Sequence, residues 1–103
     1  MVAAIYTTID DVKAARRIAQ TLTEEQIVAC VNIIPDIESV YRWKGKIKET
    51  MEVILIAKTV DENVKKAIER IKQLHTYEVP AIVVLPIVGG LKDYLDYINT
   101  ETS

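Results

Sequence analysis

Besides two methionines, this sequence has only two soft or borderline metal ligands, and they lie far apart along the chain. Cys30 is the only cysteine and His75 the only histidine. A transition-metal site needs three or four ligands, and a thiolate with an imidazole suits copper or zinc. Because one chain cannot complete such a site from these two residues, a carboxylate such as Glu78 or further copies of the chain must contribute. The predicted metal ligands are His75, Cys30 and Glu78.

Structural roles compete with metal binding at both residues. Cys30 stands beside Val31 in a strand-like segment, where a small buried thiol is common. His75 follows an amphipathic segment, where an imidazole interacts with the helix dipole and the last carbonyl groups. It also opens a polar loop of residues 75–78. The residues alone leave both alternatives open.

Lys58 is a candidate for binding a negatively charged ligand. It ends an apolar run, so it either extends its ammonium group to solvent at a strand edge or provides the cation of a pocket. Asn32 lies on the neighbouring predicted strand, and Tyr77 lies in the polar loop with Glu78. We predict that Lys58, Tyr77 and Asn32 bind a small anion or carboxylate in a cleft between subunits.

The chain carries no catalytic motif, so we expect no enzymatic activity. Nucleophilic catalysis needs a base close to an activated nucleophile, and no serine stands in a G-x-S-x-G motif. Gly89 and Gly90 open a helix without the other residues of a phosphate-binding loop.

Composition excludes further classes. The net charge is −2 with both signs interspersed, whereas a nucleic-acid interface needs a basic patch. The longest nearly uncharged stretch, residues 79–91, is too short for a membrane span, and the first residues do not resemble a signal peptide. A single cysteine fits a reducing cytoplasm. We expect a cytoplasmic protein with no nucleic-acid or membrane partner, whose folding needs no cofactor.

Apolar periodicity predicts a β-α-β-β-α-β order followed by a terminal helix. This order is typical of an α+β fold, a ferredoxin-like βαββαβ sandwich with both internal helices on one face of the sheet. Residues 1–103 form one predicted domain. Pro35 interrupts the second strand, because proline cannot donate to a strand ladder, and marks a bulge or an edge. The predicted strands cover residues 2–7, 27–34, 37–43, 46–59 and 79–88. Asp10 or Asp11 is predicted to cap the first helix and Asp61 the second, and the last helix begins at Leu91.

The two central strands form an unusually long hairpin around Lys44 and Gly45. Each arm holds about 14 residues, or about 46 Å, whereas a compact domain of this size is about 33 Å across. An overhanging two-stranded ribbon is marginal in water and exposes unpaired backbone groups. Either it contacts other copies of the chain, in a ring closed by repeated contacts, or it is a ligand-recognition loop. The predicted interface residues are Tyr41, Trp43, Ile47 and Met51.

A two-residue turn at Lys44 and Gly45 would place Trp43 opposite Lys46 and Tyr41 opposite Lys48. Contacts between these rings and ammonium groups, worth about 0.5–1 kcal/mol each, would then hold the register.

Several motifs in the same order resemble the CutA family of divalent-cation tolerance proteins. They are ACVNIIP (29–35), SVYRWKGKI (39–47), KT (58–59), HTYEVP (75–80), TT (7–8) and YLDYI (94–98). The resemblance covers nearly the whole chain and implies a ferredoxin-like protomer in a stable homotrimer, similar in architecture to PII-type signalling proteins. It further implies a link to tolerance of copper and other divalent metals, and no established enzymatic activity.

The chain departs from the family pattern at positions linked to copper. Some members have a cysteine where this chain has Thr7 and a second histidine where it has Leu74, and only His75 of that set is kept. Thr76 replaces a usual proline, and Ala81 replaces a frequent acidic residue. The resemblance implies a homotrimer that binds Cu²⁺ or another divalent metal, but these departures argue against copper binding through that particular set of ligands. The alternative is a non-enzymatic PII-like signalling or scaffold trimer that binds a small anion between its subunits.

Overall fold

The computed structural model describes residues 1–102 and is built on a four-stranded antiparallel sheet. Its strands are β1 (Val2–Ile9), β2 (Cys30–Trp43), β3 (Lys46–Val60) and β4 (Ile82–Ile87), in the order β2-β3-β1-β4. The helices are α1 (Val12–Glu24), α2 (Val64–Leu74) and α3 (Lys92–Glu101). This arrangement confirms the predicted ferredoxin-like fold with a long hairpin and a C-terminal helix.

The main core lies between one face of the sheet and helices α1 and α2. Its strand residues alternate along β1 and β3, as they do when one face of a strand is buried. The core consists of Ile5, Ile9, Val53, Leu55 and Ala57 from these strands, with Ala14, Ala15, Ile18, Leu22, Ile27, Val28, Ala67 and Ile71.

The intervening residues point to the opposite side of the sheet, which we call the open face. Helix α3 covers one end of it, where Ile98 packs on Val2 and Val60. The open face consists of Ala4, Tyr6 and Thr8 of β1, Cys30, Asn32 and Ile34 of β2, Ile54, Ile56 and Lys58 of β3, and Val83 and Leu85 of β4.

The two internal helices begin differently. Asp11 caps α1 and accepts a hydrogen bond from the Lys13 amide at 2.9 Å, as one of the two predicted carboxylates should. The prediction that Asp61 caps α2 is wrong. Asp61 opens a 3-10 turn that ends at Asn63, and α2 begins after it without a side-chain cap bond. The side-chain amide of Asn63 instead donates to the Ile27 carbonyl at 3.0 Å. This hydrogen bond holds the turn against the chain that follows α1.

The hairpin turn has the predicted two residues. Lys44 and Gly45 have φ values of 51° and 80°, and two successive positive φ values match the twist of a tight hairpin. Trp43 therefore pairs with Lys46 and Tyr41 with Lys48, as predicted. The predicted contact of Lys46 with the Trp43 ring is wrong: the ammonium group over that ring is that of Lys44, at 5.7 Å, because it follows directly in the turn.

A bulge at Pro35 and Asp36 changes which side chains of β2 reach the open face. Ile34 pairs with Ile54 and Ile37 with Glu52, so β2 has one residue more than β3 between these pairs. Asp36 takes the extra position with a φ of 60°. A one-residue bulge reverses the alternation that follows it. Even-numbered residues before the bulge and odd-numbered residues after it thus share a face.

The hairpin makes the protomer long, and the last strand is shorter than predicted. The molecule measures 44 × 25 × 23 Å, so the hairpin extends well beyond the width of the fold. Strand β4 starts at Ile82 rather than at residue 79. It ends at Ile87 opposite Val2, because β1 begins there.

Thr7 places a hydroxyl group in the core without a hydrogen-bond partner. It is 1% exposed, and its Oγ1 has no partner among residues 1–102. An unpaired buried hydroxyl costs about 1–3 kcal/mol. We expect Thr7→Val to raise the free energy of unfolding by about 1 kcal/mol in chemical denaturation at matched protein concentration.

The matched control is Thr59→Val, because the equally buried Thr59 hydroxyl donates to the Ile27 carbonyl at 2.6 Å. This variant should lose about 1 kcal/mol. Equal destabilisation by both substitutions would contradict the assignment of an unpaired hydroxyl at Thr7.

Candidate functional site

The open face carries apolar side chains that a single chain leaves in water. Ile34 is 41% exposed, Val83 49% and Leu85 47%. These residues lie on strands from one edge of the sheet to the other, so they form a surface rather than isolated apolar residues. Contiguous exposed apolar surface of this kind marks an interaction site.

Lys58 lies at the centre of a polar cluster at the α3 end of the open face. Its ammonium group donates to Asn32 Oδ1 at 2.8 Å and to the Tyr94 hydroxyl at 3.2 Å, 5.5 Å from the centre of that ring. Cys30 Sγ lies 3.2 Å from the same hydroxyl. The strand register forms the cluster, because Cys30 pairs with Lys58 and Asn32 follows on the same face.

The surroundings of Lys58 favour its charged form. Burial lowers the pKa of this ammonium group, but hydrogen bonding and charge interactions with Tyr94 and Cys30 outweigh burial and raise it. The pKa of Tyr94 is also raised, first by its hydrogen bond with Cys30 and then by burial. The cluster therefore presents one stable positive charge beside neutral polar groups, an arrangement that suits an anionic ligand.

A second polar pair lies at the other end of the open face. The Tyr77 hydroxyl donates to Glu52 Oε2 at 2.6 Å, and Glu52 is only 6% exposed. Burial raises the pKa of Tyr77, and the hydrogen bond to Glu52 and its charge raise it further. Within residues 1–102, no lysine or arginine forms a salt bridge with Glu52.

This pair lies in a cleft of about 660 Å³ between the sheet, the hairpin and the loop before β4. Four aromatic rings line the cleft together with Glu78 and Lys48. Its lining consists of Tyr6, Thr8, Ser39, Val40, Tyr41, Trp43, Lys48, Glu52, Tyr77, Glu78, Val79 and Ala81.

Both ring nitrogens of His75 have hydrogen-bond partners. Nε2 lies 2.7 Å from the Thr8 carbonyl oxygen, and the Tyr77 amide donates to Nδ1 at 3.1 Å. A carbonyl only accepts and an amide only donates, so the proton must be on Nε2. His75 is therefore a neutral imidazole that joins β1 to the loop.

The predicted metal ligands do not meet within one protomer. Cys30 belongs to the Lys58 cluster, whereas His75 binds the carbonyl of Thr8, four residues along β1 from the partner of Lys58. Cys30 and the Thr8 carbonyl are thus separated by four residues along the strands and by two strand spacings across the sheet, which together correspond to roughly 16 Å. The structure groups no three metal-binding side chains within residues 1–102. Glu78 lines the cleft and follows His75 by three residues in the chain.

The predicted anion-binding residues are also divided. Lys58 and Asn32 are in direct contact, but Tyr77 belongs to the cleft with Glu52. Glu52 and Lys58 are six residues apart on β3, or about 20 Å. The expected pairing of Lys58 with Tyr77 or Glu78 is therefore not formed within one protomer.

The predicted interface residues lie on both sides of the hairpin. Tyr41 and Trp43 line the cleft, and their cross-strand partners share the face of Glu52. Ile47 and Met51 alternate to the other side and are exposed, because that part of the hairpin extends beyond helices α1 and α2.

Sequence reasoning missed two residues of these sites. Tyr94 was named only within the motif YLDYI, and Glu52 was covered only by the predicted strand 46–59. A single acidic residue within the strand MEVILIA could have indicated a buried carboxylate. No comparable signal indicates that Tyr94 reaches Lys58, because the position of α3 depends on how Ile98 packs.

The architecture is that of an α+β, ferredoxin-like protein with an extended hairpin and an apolar sheet face. No helix within residues 1–102 is long and apolar enough to cross a membrane. The sequence model of the CutA1 divalent ion tolerance proteins matches residues 3–101. The chain belongs to this family.

Individual relatives agree with this assignment. The chain is similar to the divalent-cation tolerance protein CutA of Thermus thermophilus, with 44% identity over 95% of both chains. It is 38% identical to the chloroplastic protein CutA of Arabidopsis thaliana, over 95% of this chain and 54% of that protein. The solved structure of the Thermus thermophilus protein matches with a TM-score of 0.97 and 43% identity, covering 100% of each chain.

The raised pKa values predict a loss of stability in alkali. The ordinary pKa values of Tyr77, Tyr94 and Lys58 are 10.0, 10.0 and 10.5, and folding raises all three. The stability that these groups contribute is therefore fully present at a pH below their ordinary pKa values. It is lost as the pH rises through the raised pKa values of the folded protein. We expect the free energy of unfolding to fall above about pH 10.

The Tyr77→Phe variant isolates the largest of these contributions. It should be less stable by about 1–3 kcal/mol at pH 7, because Glu52 loses its donor, and should show a shallower decline above pH 10. Denaturant titrations between pH 7 and 11 measure both effects. Parallel pH curves for the variant and the wild type would contradict this role of Tyr77.

Proposed function

We propose that this protein acts in divalent-cation tolerance as a homotrimer that binds copper(II) or another divalent metal and catalyses no reaction. The family assignment supports the link to divalent ions. A free thiol at Cys30 fits a reducing compartment, and we propose the cytoplasm.

The exposed apolar residues of the open face support the proposal that several copies of the chain assemble. Its exposed residues continue onto a hairpin that extends beyond the helices and exposes Ile47 and Met51. Strands β2 and β4 also have one unpaired edge each. Copies of the same chain can cover both the apolar surface and the strand edges, and contacts between unlike surfaces form a closed ring when the rotation from one copy to the next closes.

The separation of Cys30 from His75 supports metal ligands drawn from more than one protomer. Each protomer offers the His75 imidazole and, in the same loop, the exposed Glu78 carboxylate at one end of the open face, and a thiol at the other. Imidazole, thiolate and carboxylate together suit copper or zinc. Metal binding at His75 Nδ1 displaces the Tyr77 amide, and at Nε2 it displaces the Thr8 carbonyl.

A second candidate function rests on the cluster around Lys58. A protonated lysine held by Asn32 and Tyr94 at a half-covered face fits a PII-like trimer that binds a small anion between its subunits. In this case the protein signals or acts as a scaffold, and its ligand is a carboxylate or phosphate rather than a metal.

Sedimentation tests the assembly. At low micromolar concentration we expect about three times the protomer mass of 11.6 kDa. Replacing both Ile47 and Met51 by Lys should dissociate the trimer, since buried unpaired charges are costly. The control Lys65→Ala, at an exposed position of α2, should leave it intact. A folded single protomer in the wild type would refute the trimer.

Copper titration into the purified protein tests the metal site and separates the two functions. We expect His75→Ala and Cys30→Ala to weaken copper binding by at least about tenfold, whereas Glu69→Ala, at an exposed position of α2, should not. Copper binding that neither substitution weakens would remove the site assignment. No binding at micromolar copper would favour the anion-binding function.

A further inference from the structure

The hairpin has a basic tip and leads back to an acidic cleft. Its tip, residues 41–48, contains four basic residues and no acidic one: Arg42, Lys44, Lys46 and Lys48. Further along the hairpin, Glu52 lines the cleft together with Glu78, and the charge of Asp10 acts on Tyr77 in the same sense as that of Glu52. Within one protomer the two charged regions cannot meet, because the extended strand β3 holds them apart.

Glu52 is buried without a cation of its own chain beside it. It is 6% exposed and accepts from the Tyr77 hydroxyl, and no lysine or arginine within residues 1–102 forms a salt bridge with it. Lys48 lies on the same side of β3 but four residues away, about 13 Å along the strand. A buried carboxylate is costly unless an opposite charge or several donors compensate it. The charge that would compensate Glu52 is therefore absent from its own protomer.

Lys46 is the cation that the open-face side of the tip presents to another copy. After the bulge, the even-numbered residues of β3 share the open face, so Lys46 lies on the same side of the hairpin as Glu52. The other cations of the tip are engaged elsewhere: Arg42 donates to a carbonyl of the turn, Lys44 lies over a ring of its own tip, and Lys48 lines its own cleft. Lys46 is exposed and forms no salt bridge within residues 1–102.

We propose that Lys46 of one protomer pairs with Glu52 of the next, so that each hairpin tip completes the cleft of its neighbour. This inference rests on the proposed homotrimer and adds to it a head-to-tail direction. A basic tip in an acidic cleft is a contact between unlike surfaces, which a cyclic trimer needs. Two tips of like charge repel each other, so the same charges disfavour a symmetric pairing of tips. The cleft is then part of the interface between subunits.

Subunit exchange tests the pair in the assembled protein. Isotope-labelled and unlabelled trimers are mixed at a temperature where wild-type chains exchange within hours, and native mass spectrometry follows the mixed species. We expect Lys46→Gln and Glu52→Gln each to exchange at least about tenfold faster than the wild type, because loss of one partner of a buried charge pair mainly raises the dissociation rate. The double variant should exchange no faster than the faster single variant, because the pair is lost only once.

Arg42→Gln is the matched control, since it removes a positive charge from the other side of the same tip. It should exchange within about threefold of the wild-type rate, as expected for an exposed charge. If Glu52→Gln does not assemble, the comparison of Lys46→Gln with Arg42→Gln decides. The pairing is overturned if these two variants exchange alike, or if the increases of the Lys46 and Glu52 variants multiply in the double variant. A folded single protomer in the wild type would instead refute the trimer itself, a result that sedimentation gives before any exchange is measured.

Discussion

The continuous pairing of β2 with β3 is the interaction on which both candidate sites depend. It runs from Cys30 opposite Lys58 to Trp43 opposite Lys46, with one bulge. The register before the bulge brings Cys30 and Asn32 to Lys58, and the register after it turns Tyr41 and Trp43 toward the face of Glu52. Without the extra residue at Asp36, both rings would lie on the other side of the hairpin, because a shift by one residue reverses every later side chain. The bulge therefore decides which hairpin side chains line the cleft.

The same pairing creates the surface that needs a partner. A hairpin of this length leaves its distal half without the cover of α1 and α2, so apolar residues on both of its sides remain exposed. On the open face, α3 shelters only the end near Ile98. Burying Ile34, Val83 and Leu85 would contribute about 25 cal/mol for each Å² removed from water. Each further interface between copies adds the same gain in free energy, so a closed assembly is favoured over a single weak contact.

Local pattern fixed most of the fold, because each element depends on neighbouring residues. Strand alternation, the cap at Asp11, the turn at Lys44 and Gly45 and the bulge at Pro35 could all be predicted from short stretches of sequence. The start of α2 could not, since Asn63 is held by the Ile27 carbonyl, 36 residues away in sequence. The sites were predicted only in part for the same reason. Lys58 and Asn32 meet through strand pairing, which is predictable, whereas Tyr77 reaches Glu52 through a loop whose path depends on His75.

His75 joins β1 to that loop and lies in one chain of contacts with the cleft. One chain of contacts runs from the Thr8 carbonyl through the imidazole to the Tyr77 amide, and from the Tyr77 hydroxyl to Glu52. The Tyr77 ring also lies against the imidazole, with ring centres 4.7 Å apart. A metal ion or a proton at Nδ1 takes the lone pair that holds the Tyr77 amide. Tyr77 is then free to move, and with it the only hydroxyl that donates to the buried carboxylate within residues 1–102. The imidazole of His75 and the carboxylate of Glu52 are therefore two ends of one path that runs through Tyr77, so the proposed binding of a metal at His75 would act on the charge balance at Glu52.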